Sequence, residues 1–380
     1  MNRTRKTIIK AKMIPGILSP LLLCATLLNA CNWTSARKET RTTTTARDEN
    51  TPKLVKSVQL IAPARHDTCR FNQQINIAYA NNKRYPVDSA ILLYNNRPVA
   101  TLDSATRQLT FKIPPGKCGE NTIKIIAYHP GNRQGSATLP LIVKPDTPPR
   151  RLAFEIVNTY PHDPAASTQG LVYHDGHLYE GTGILGESTL RKIDLDNNKL
   201  LHMYSLASKY FGEGITIHGG KIYQITWTSR EGFIYDPVTF RQEATFRYPT
   251  QGWGITTDGN RLIMSDGTHQ LFILSPATFS RLATVEVYDH HGPVHSLNEL
   301  EWIDGHVWAN VWLTDKIVII DPATGAVTAE LYLPNILDPA QKIKLNMKED
   351  VLNGIANLPH RGTILVTGKH WPTLFELKTK

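Results

Sequence analysis

From residue 150 onward the chain alternates short apolar runs with polar turns, at a period of about forty to fifty residues. Five turn signals punctuate it: Asp175-Gly176, Gly219-Gly220, Asp258-Gly259, Asp304-Gly305 and Arg361-Gly362. Each lies between two strand-like arms, as in a tight hairpin, where glycine supplies the positive φ that such turns require. A third apolar strand follows each hairpin, at residues 190–194, 233–236, 271–275, 317–321 and 374–377. The last unit runs out of chain after its third strand. The apolar stretch 154–160, ahead of the first hairpin, is free to supply the missing outer strand and so remove an exposed sheet edge. Three to four strands per unit in five units predict an all-β fold, a five-bladed β-propeller over residues 147–380.

Residues 53–146 follow a different pattern. Six or seven short alternating strands, separated by turns such as Asn81-Asn82 and Pro114-Pro115-Gly116, predict an immunoglobulin-like β-sandwich preceding the propeller. Pro145-Asp146-Thr147-Pro148-Pro149, stiff and poor in backbone donors, marks the boundary. Cys69 and Cys118 both fall in the sandwich and are candidates for a disulfide.

The repeat also places side chains. Seven residues beyond each turn glycine the second arm ends at Gly183, Trp227, Asp266, Trp312 or Lys369, and seven before it three first arms open at Gln169, Glu213 and Asn298. Trp253 and Asn353 open the other two first arms. If first arms line the axis, then Gln169, Glu213, Trp227, Trp253, Asn298, Trp312, Asn353 and Lys369 gather at one mouth of the ring. Glu213 stands out, because Gly212 and Gly214 flank it at the start of an apolar strand.

Charge separates the N-terminus from the rest. Residues 1–47 hold nine Lys/Arg and one Asp/Glu, a balance of +8 out of the formal +9, so the remaining chain is near neutral. That argues against a nucleic-acid partner, which calls for a basic surface on the folded domain. The first thirty residues pass from a cationic start (Arg3, Arg5, Lys6, Lys10, Lys12) to an apolar run at 17–28 and end in Leu28-Asn29-Ala30-Cys31. The run is shorter than the ~20 residues of a spanning helix and reads as an export signal. Its ending resembles the bacterial lipoprotein lipobox. That resemblance implies cleavage after residue 30, lipidation of Cys31, and an exported lipoprotein facing the periplasm or the cell surface. Residues 31–52, polar and rich in Thr and Arg, read as a flexible tether.

Ten short stretches, in order through every unit, carry a wider resemblance. Among them are Thr168-Gln169-Gly170-Leu171, Tyr210-Phe211-Gly212-Glu213-Gly214, Gly252-Trp253-Gly254, Leu297-Asn298-Glu299-Leu300-Glu301, Val351-Leu352-Asn353-Gly354-Ile355 and Val366-Thr367-Gly368-Lys369. Over residues 154–377 the chain resembles the plant-type and bacterial glutamine cyclotransferases, which convert N-terminal glutamine to pyroglutamate. The resemblance implies a catalytic Glu213, with Gln169, Phe211, Trp253, Asn298, Trp312 and Lys369 around the substrate and Trp227 nearby. One departure is Ser167, where the family commonly has an aromatic residue before Thr-Gln; the smaller side chain is expected to widen the pocket wall.

The chemistry needs few groups. The α-amine of an N-terminal glutamine attacks its own γ-carboxamide and ammonia leaves, so a tethered nucleophile already stands in place. What remains is proton transfer between two nitrogens, work for one carboxyl, Glu213, and stabilisation of the carbonyl oxygen, for which Lys369, Gln169 and Asn298 are candidates. His-x-His and His-Glu-x-x-His spacings, a Gly-x-Ser-x-Gly elbow and a phosphate loop are all missing from the sequence, and His290, His291 and His295 read as surface residues. No metal or cofactor is expected, and the protein is expected to act as a monomer on peptides or proteins with N-terminal glutamine. The competing expectation is a non-catalytic cell-surface propeller that binds peptides or other ligands.

Overall fold

A computed structural model describes residues 51–380, which fall within one compact unit. The export signal, Cys31 and all but the end of the tether lie outside the described residues. The described chain is all-β apart from a single helical turn, Pro339–Lys342.

After residue 150 there are five sheets, each built on four antiparallel strands. The first comprises Thr168–His174, His177–Thr182, Thr189–Asp194 and Lys199–Ser205 in sequence order, and the second, third and fourth repeat the plan. The fifth consists of Leu352–Leu358, Thr363–Gly368 and Thr373–Thr379 with Phe154–Pro161 as its outer strand. The stretch at 154–160 thus joins the last unit to the first, as the sequence predicts. First strands of successive sheets are neighbours, and that of the fifth sheet neighbours that of the first, which closes a ring.

Burial follows position in each sheet. The third strands of the third and fourth sheets are buried on both faces and read as continuous apolar runs, as in Lys316–Ile320, where all but the first residue are buried. The outer strand of the first sheet faces solvent, with Leu200, Leu201 and Met203 exposed. A separate apolar layer fills each gap between adjacent sheets. Val172, Tyr179 and Leu190 meet Ile215, Ile222 and Phe233, whereas Leu171 and Leu178 meet Ala356 and Leu365 across the seam between fifth and first sheets. Truncating one fully buried leucine in such a layer costs about 2–5 kcal/mol.

The hairpins differ in their turns. Asp175-Gly176, Gly219-Gly220 and Asp304-Gly305 are two-residue turns in which every residue has positive φ. Asp258-Gly259 and Arg361-Gly362 instead belong to longer connections, because the flanking pairs are Thr257 with Leu262 and Leu358 with Thr363. In the third sheet Asp258 accepts from the backbone of Asn260 and Arg261, an arrangement that needs the extra residues.

The preceding residues form a six-stranded sheet and a three-stranded sheet, which share one apolar core. That core also takes in Tyr288, from beyond residue 150. The Cys118 amide donates to the Thr324 carbonyl (2.7 Å) and the Glu120 amide to Glu286 (2.8 Å). Arg70 and Lys144 donate to the carbonyls of His290 and His291. The histidine loop, expected to be plain surface, therefore anchors the two parts of the chain to each other, although the rings of His291 and His295 remain exposed.

The expected disulfide is absent: Cys69 and Cys118 are buried free thiols. Strand Arg133–Lys144 runs between them, with Val143 paired to Cys69 on one side and to Gly119 on the other. Both thiols pack in the same apolar core, beside Tyr94. Burial, with Asp321 and Glu286 nearby, pushes the Cys118 thiol up to about 12.

Candidate active site

The first strands carry a recurring irregularity at the open end of the hairpin. Pairing slips between Thr168 and Gly170, between Gly212 and Ile215, between Leu297 and Leu300, and between Leu352 and Ile355. The residues inside these slips include Gln169, Glu213, Asn298 and Asn353. A bulge of this kind turns a side chain out of the regular alternation. Opposite it, the end of the second arm is fixed by one repeated hydrogen bond: Gly183 N to Ser167 O, Trp227 N to Phe211 O, Trp312 N to Ser296 O and Lys369 N to Val351 O, at 2.8 to 3.0 Å. The residue selected by the seven-residue count is thus the last one the hairpin holds.

Glycines let the first strands approach. A Cβ on Gly214 would lie 2.8 Å from both the Gly254 Cα and the Ile255 nitrogen. With hydrogen in that place, Gly214 N reaches the Trp253 carbonyl at 2.9 Å, which sets Trp253 beside Glu213. The glycines around Glu213 therefore serve ring packing as well as the strand mouth.

A cavity of about 290 Å³ results, lined by Gln169, Phe211, Glu213, Trp227, Trp253, Asn298, Trp312, Glu349 and Lys369. Trp253 and Trp312 meet edge to face at 5.4 Å, as do Phe211 and Trp227 at 5.7 Å. Gln251 accepts from the indole N–H of both Trp227 (2.7 Å) and Trp253 (3.2 Å) and so ties the two walls together. Gly183 sits behind Gln169 and Phe211, and a side chain there would collide with both.

Two ionisable groups, Glu213 and Lys369, line it and act on each other electrostatically. Burial raises the Glu213 carboxyl to about 8, against the opposing pull of Lys369. Burial likewise lowers Lys369, opposed by Glu213, Asp350 and Glu349. Among the described residues neither side chain makes a hydrogen bond or ion pair. Glu213 is thus a carboxyl that exchanges its proton near pH 8 and has no hydrogen-bond or ion-pair partner among the described residues. The Asn298 side-chain oxygen is likewise buried and unpartnered in the cavity wall.

Of the eight residues expected to gather at the mouth, Asn353 does not line the cavity. It is fully buried, and its Nδ2 donates to the Thr168 carbonyl at 3.0 Å, next to Gln169. Its bulge turns it toward the neighbouring sheet. Ser167 is also buried away from the cavity and contributes its carbonyl to the Gly183 bond. Sequence reasoning missed Glu349, which comes from the segment between the fourth and fifth sheets, outside the repeat, and it missed Gln251. A polar residue two positions before Trp253 was the one available signal for the latter.

It missed Glu299 as well. This fully buried carboxyl accepts from the amides of Leu171 (3.2 Å) and Ile355 (2.9 Å), on the first strands of the first and fifth sheets. Burial and the adjacent Glu301 hold it well above the usual carboxylate range. First strands present unpaired edges toward the axis, and Glu299 covers part of two of them.

The family model described as glutamine cyclotransferase matches residues 133–379. The glutaminyl-peptide cyclotransferase of Arabidopsis thaliana is 38% identical over 230 residues, which are 60% of this chain and 71% of that protein. The crystal structure of Myxococcus xanthus glutaminyl cyclase superposes with a TM-score of 0.57 at 38% identity, covering 61% of this chain and 98% of that one. The match spans all five sheets and the cavity they enclose, and the chain belongs to the glutamine cyclotransferase family.

Proposed function

We propose that this protein is a glutaminyl-peptide cyclotransferase, converting N-terminal glutamine of peptides or proteins to pyroglutamate with release of ammonia. The observation that carries the mechanism is the buried Glu213 carboxyl, near pKa 8 and unpaired among the described residues, in an aromatic-walled cavity with Lys369.

A free α-amine titrates at about 7.7–8.0, close to Glu213, so a proton passes between the two at little cost. The substrate amine attacks the γ-carbonyl carbon and the new C–N bond closes a five-membered ring. Ionised Glu213 takes the proton released by the attacking nitrogen and gives it to the departing one, which leaves as ammonia when the old C–N bond breaks. Lys369 supplies positive charge for the carbonyl oxygen and for ionised Glu213, while the amides of Gln169 and Asn298 orient the carboxamide. Trp253, Trp312, Phe211 and Trp227 keep out water, which would otherwise compete and give glutamate.

The wider reading is a five-bladed β-propeller at 147–380 that bears this site, preceded by an immunoglobulin-like sandwich at 53–146. Residues 1–30 are a lipoprotein signal, Cys31 the lipidated residue and 31–52 the tether, so that a monomer works at a membrane, facing the periplasm or the cell surface. The ring closed by Phe154–Pro161 supports the first part and the sequence of residues 1–31 the second.

The test is ammonia release from a Gln-initiated dipeptide by the full chain, with and without a chelator. Release that survives chelation and disappears in Glu213→Gln is the expected result. Folded wild-type protein that binds the dipeptide without releasing ammonia would favour a binding propeller instead.

A further inference from the structure

The cavity draws Gln169 from the first sheet and Lys369 from the fifth, and one buried histidine spans the seam between these two sheets. His162 follows the outer strand that closes the ring. Its backbone N–H donates to the Pro372 carbonyl at 2.9 Å. Its Nδ1 lies 2.6 Å from the Trp371 carbonyl and its Nε2 2.9 Å from Glu180 Oε1. A carbonyl oxygen and a carboxylate only accept, so both ring nitrogens carry hydrogen and the ring is an imidazolium. Each acceptor leads to a different part of the cavity. Trp371 is two residues from Lys369, and its indole N–H donates to the Asp350 carbonyl at 3.0 Å, next to Glu349. Glu180 Oε1 also accepts from the Thr168 hydroxyl at 2.7 Å, next to Gln169. A further bond, His370 N to Ala166 O at 2.8 Å, stitches the same two loops together.

We infer that His162, held as a cation between Glu180 and the Trp371 carbonyl, is a positioning residue for cyclisation: it sets Lys369 and Gln169 at their working distances from Glu213. This rests on the activity proposed above. A neutral ring would lose one of the two links and loosen the loop bearing Lys369 against the loop bearing Gln169, leaving the backbone bonds His370 N to Ala166 O and His162 N to Pro372 O to join them.

Charged and titratable groups face His162 from several elements. Glu180, from the second strand of the first sheet, is fully buried; Arg191, from the third strand, lies 3.7 Å from its Oε2 and 2.9 Å from Asp163. Beyond Trp371, Asp350 pairs with His370 at 2.6 Å. Burial pushes the His162 pKa down, but Glu180 and the Trp371 carbonyl outweigh it and the net shift is upward. The link is therefore complete below the ring's ordinary value of about 6.5 and is lost as pH rises through the folded value.

The test compares full-chain wild type, His162→Gln and Glu180→Gln with a Gln-initiated dipeptide, recording kcat, KM, the pH profile and the melting temperature. With Lys369 released from its place, the acidic limb of kcat should move from about 8 to higher pH and KM should rise about tenfold. A folded variant with a lower melting temperature but an unmoved limb and KM would make the cluster purely structural and overturn the inference. Should both variants fail to fold, nitrogen NMR of the unaltered protein still tests the cation on which the inference depends. Two protonated ring nitrogens on His162 at pH 7 are expected, and a single one would overturn it. Wild-type protein without cyclase activity would sink the functional reading while leaving the NMR result standing on its own.

Discussion

Glu213 and Lys369 enter one cavity from the second and fifth sheets and share it without an ion pair, so each acts on the other only through its field. Had they paired, Glu213 would be fixed as a carboxylate and would carry no proton at neutral pH. Burial sets it near 8, with Lys369 keeping it from rising further.

Glu213→Gln tests the proton carrier. The amide keeps the shape but cannot exchange a proton, so kcat should fall by roughly 10²–10⁴-fold, with circular dichroism unchanged. In the wild type kcat should rise with pH through about 8 as Glu213 ionises. Because the folded value lies above the ordinary one, ionisation also costs stability: nothing below the unfolded carboxylate value of about 4.3, the full amount once pH has passed the folded value. The substitution should therefore narrow the loss of melting temperature between acidic and alkaline pH.

Lys369→Met removes the charge that holds Glu213 down. The acidic limb should move to higher pH, and kcat at its plateau should drop by about 10²–10³-fold if Lys369 also meets the carbonyl oxygen. A limb that stays in place would mean that Lys369 does not act on Glu213.

Gly183→Val tests a wall. The added side chain would displace Phe211 and Gln169, so KM should rise well above tenfold while the melting temperature changes little. An unchanged KM would show that the Phe211 and Gln169 side of the cavity does not hold substrate.

Glu299→Ala tests the ring rather than the site. It would leave the amides of Leu171 and Ile355 without their acceptor, at a cost of about 1–3 kcal/mol for each orphaned group. Chemical denaturation should show that loss, with the pH limb of kcat in place.

Thiol chemistry checks the buried cysteines. Reductant should leave the melting temperature unchanged, and Cys69 and Cys118 should react with a thiol reagent only once unfolded. A reductant-sensitive melting temperature would restore the disulfide.

The sequence by itself determined the repeat, the strand that closes the ring, and most of the cavity wall. These are local matters: turn glycines and the apolar pattern fix each hairpin, and a constant count from turn to open end carries Glu213, Trp227, Trp312 and Lys369 to one rim. Tertiary structure decided the rest. The bulges turn Gln169, Glu213 and Asn298 into the cavity but leave Asn353 behind it; Glu349 arrives from outside the repeat; two cysteines in one core stay free thiols. The state of Glu213 belongs here too. Desolvation and Coulomb fields depend on distance through space, and the chain sets that distance only when the ring has closed.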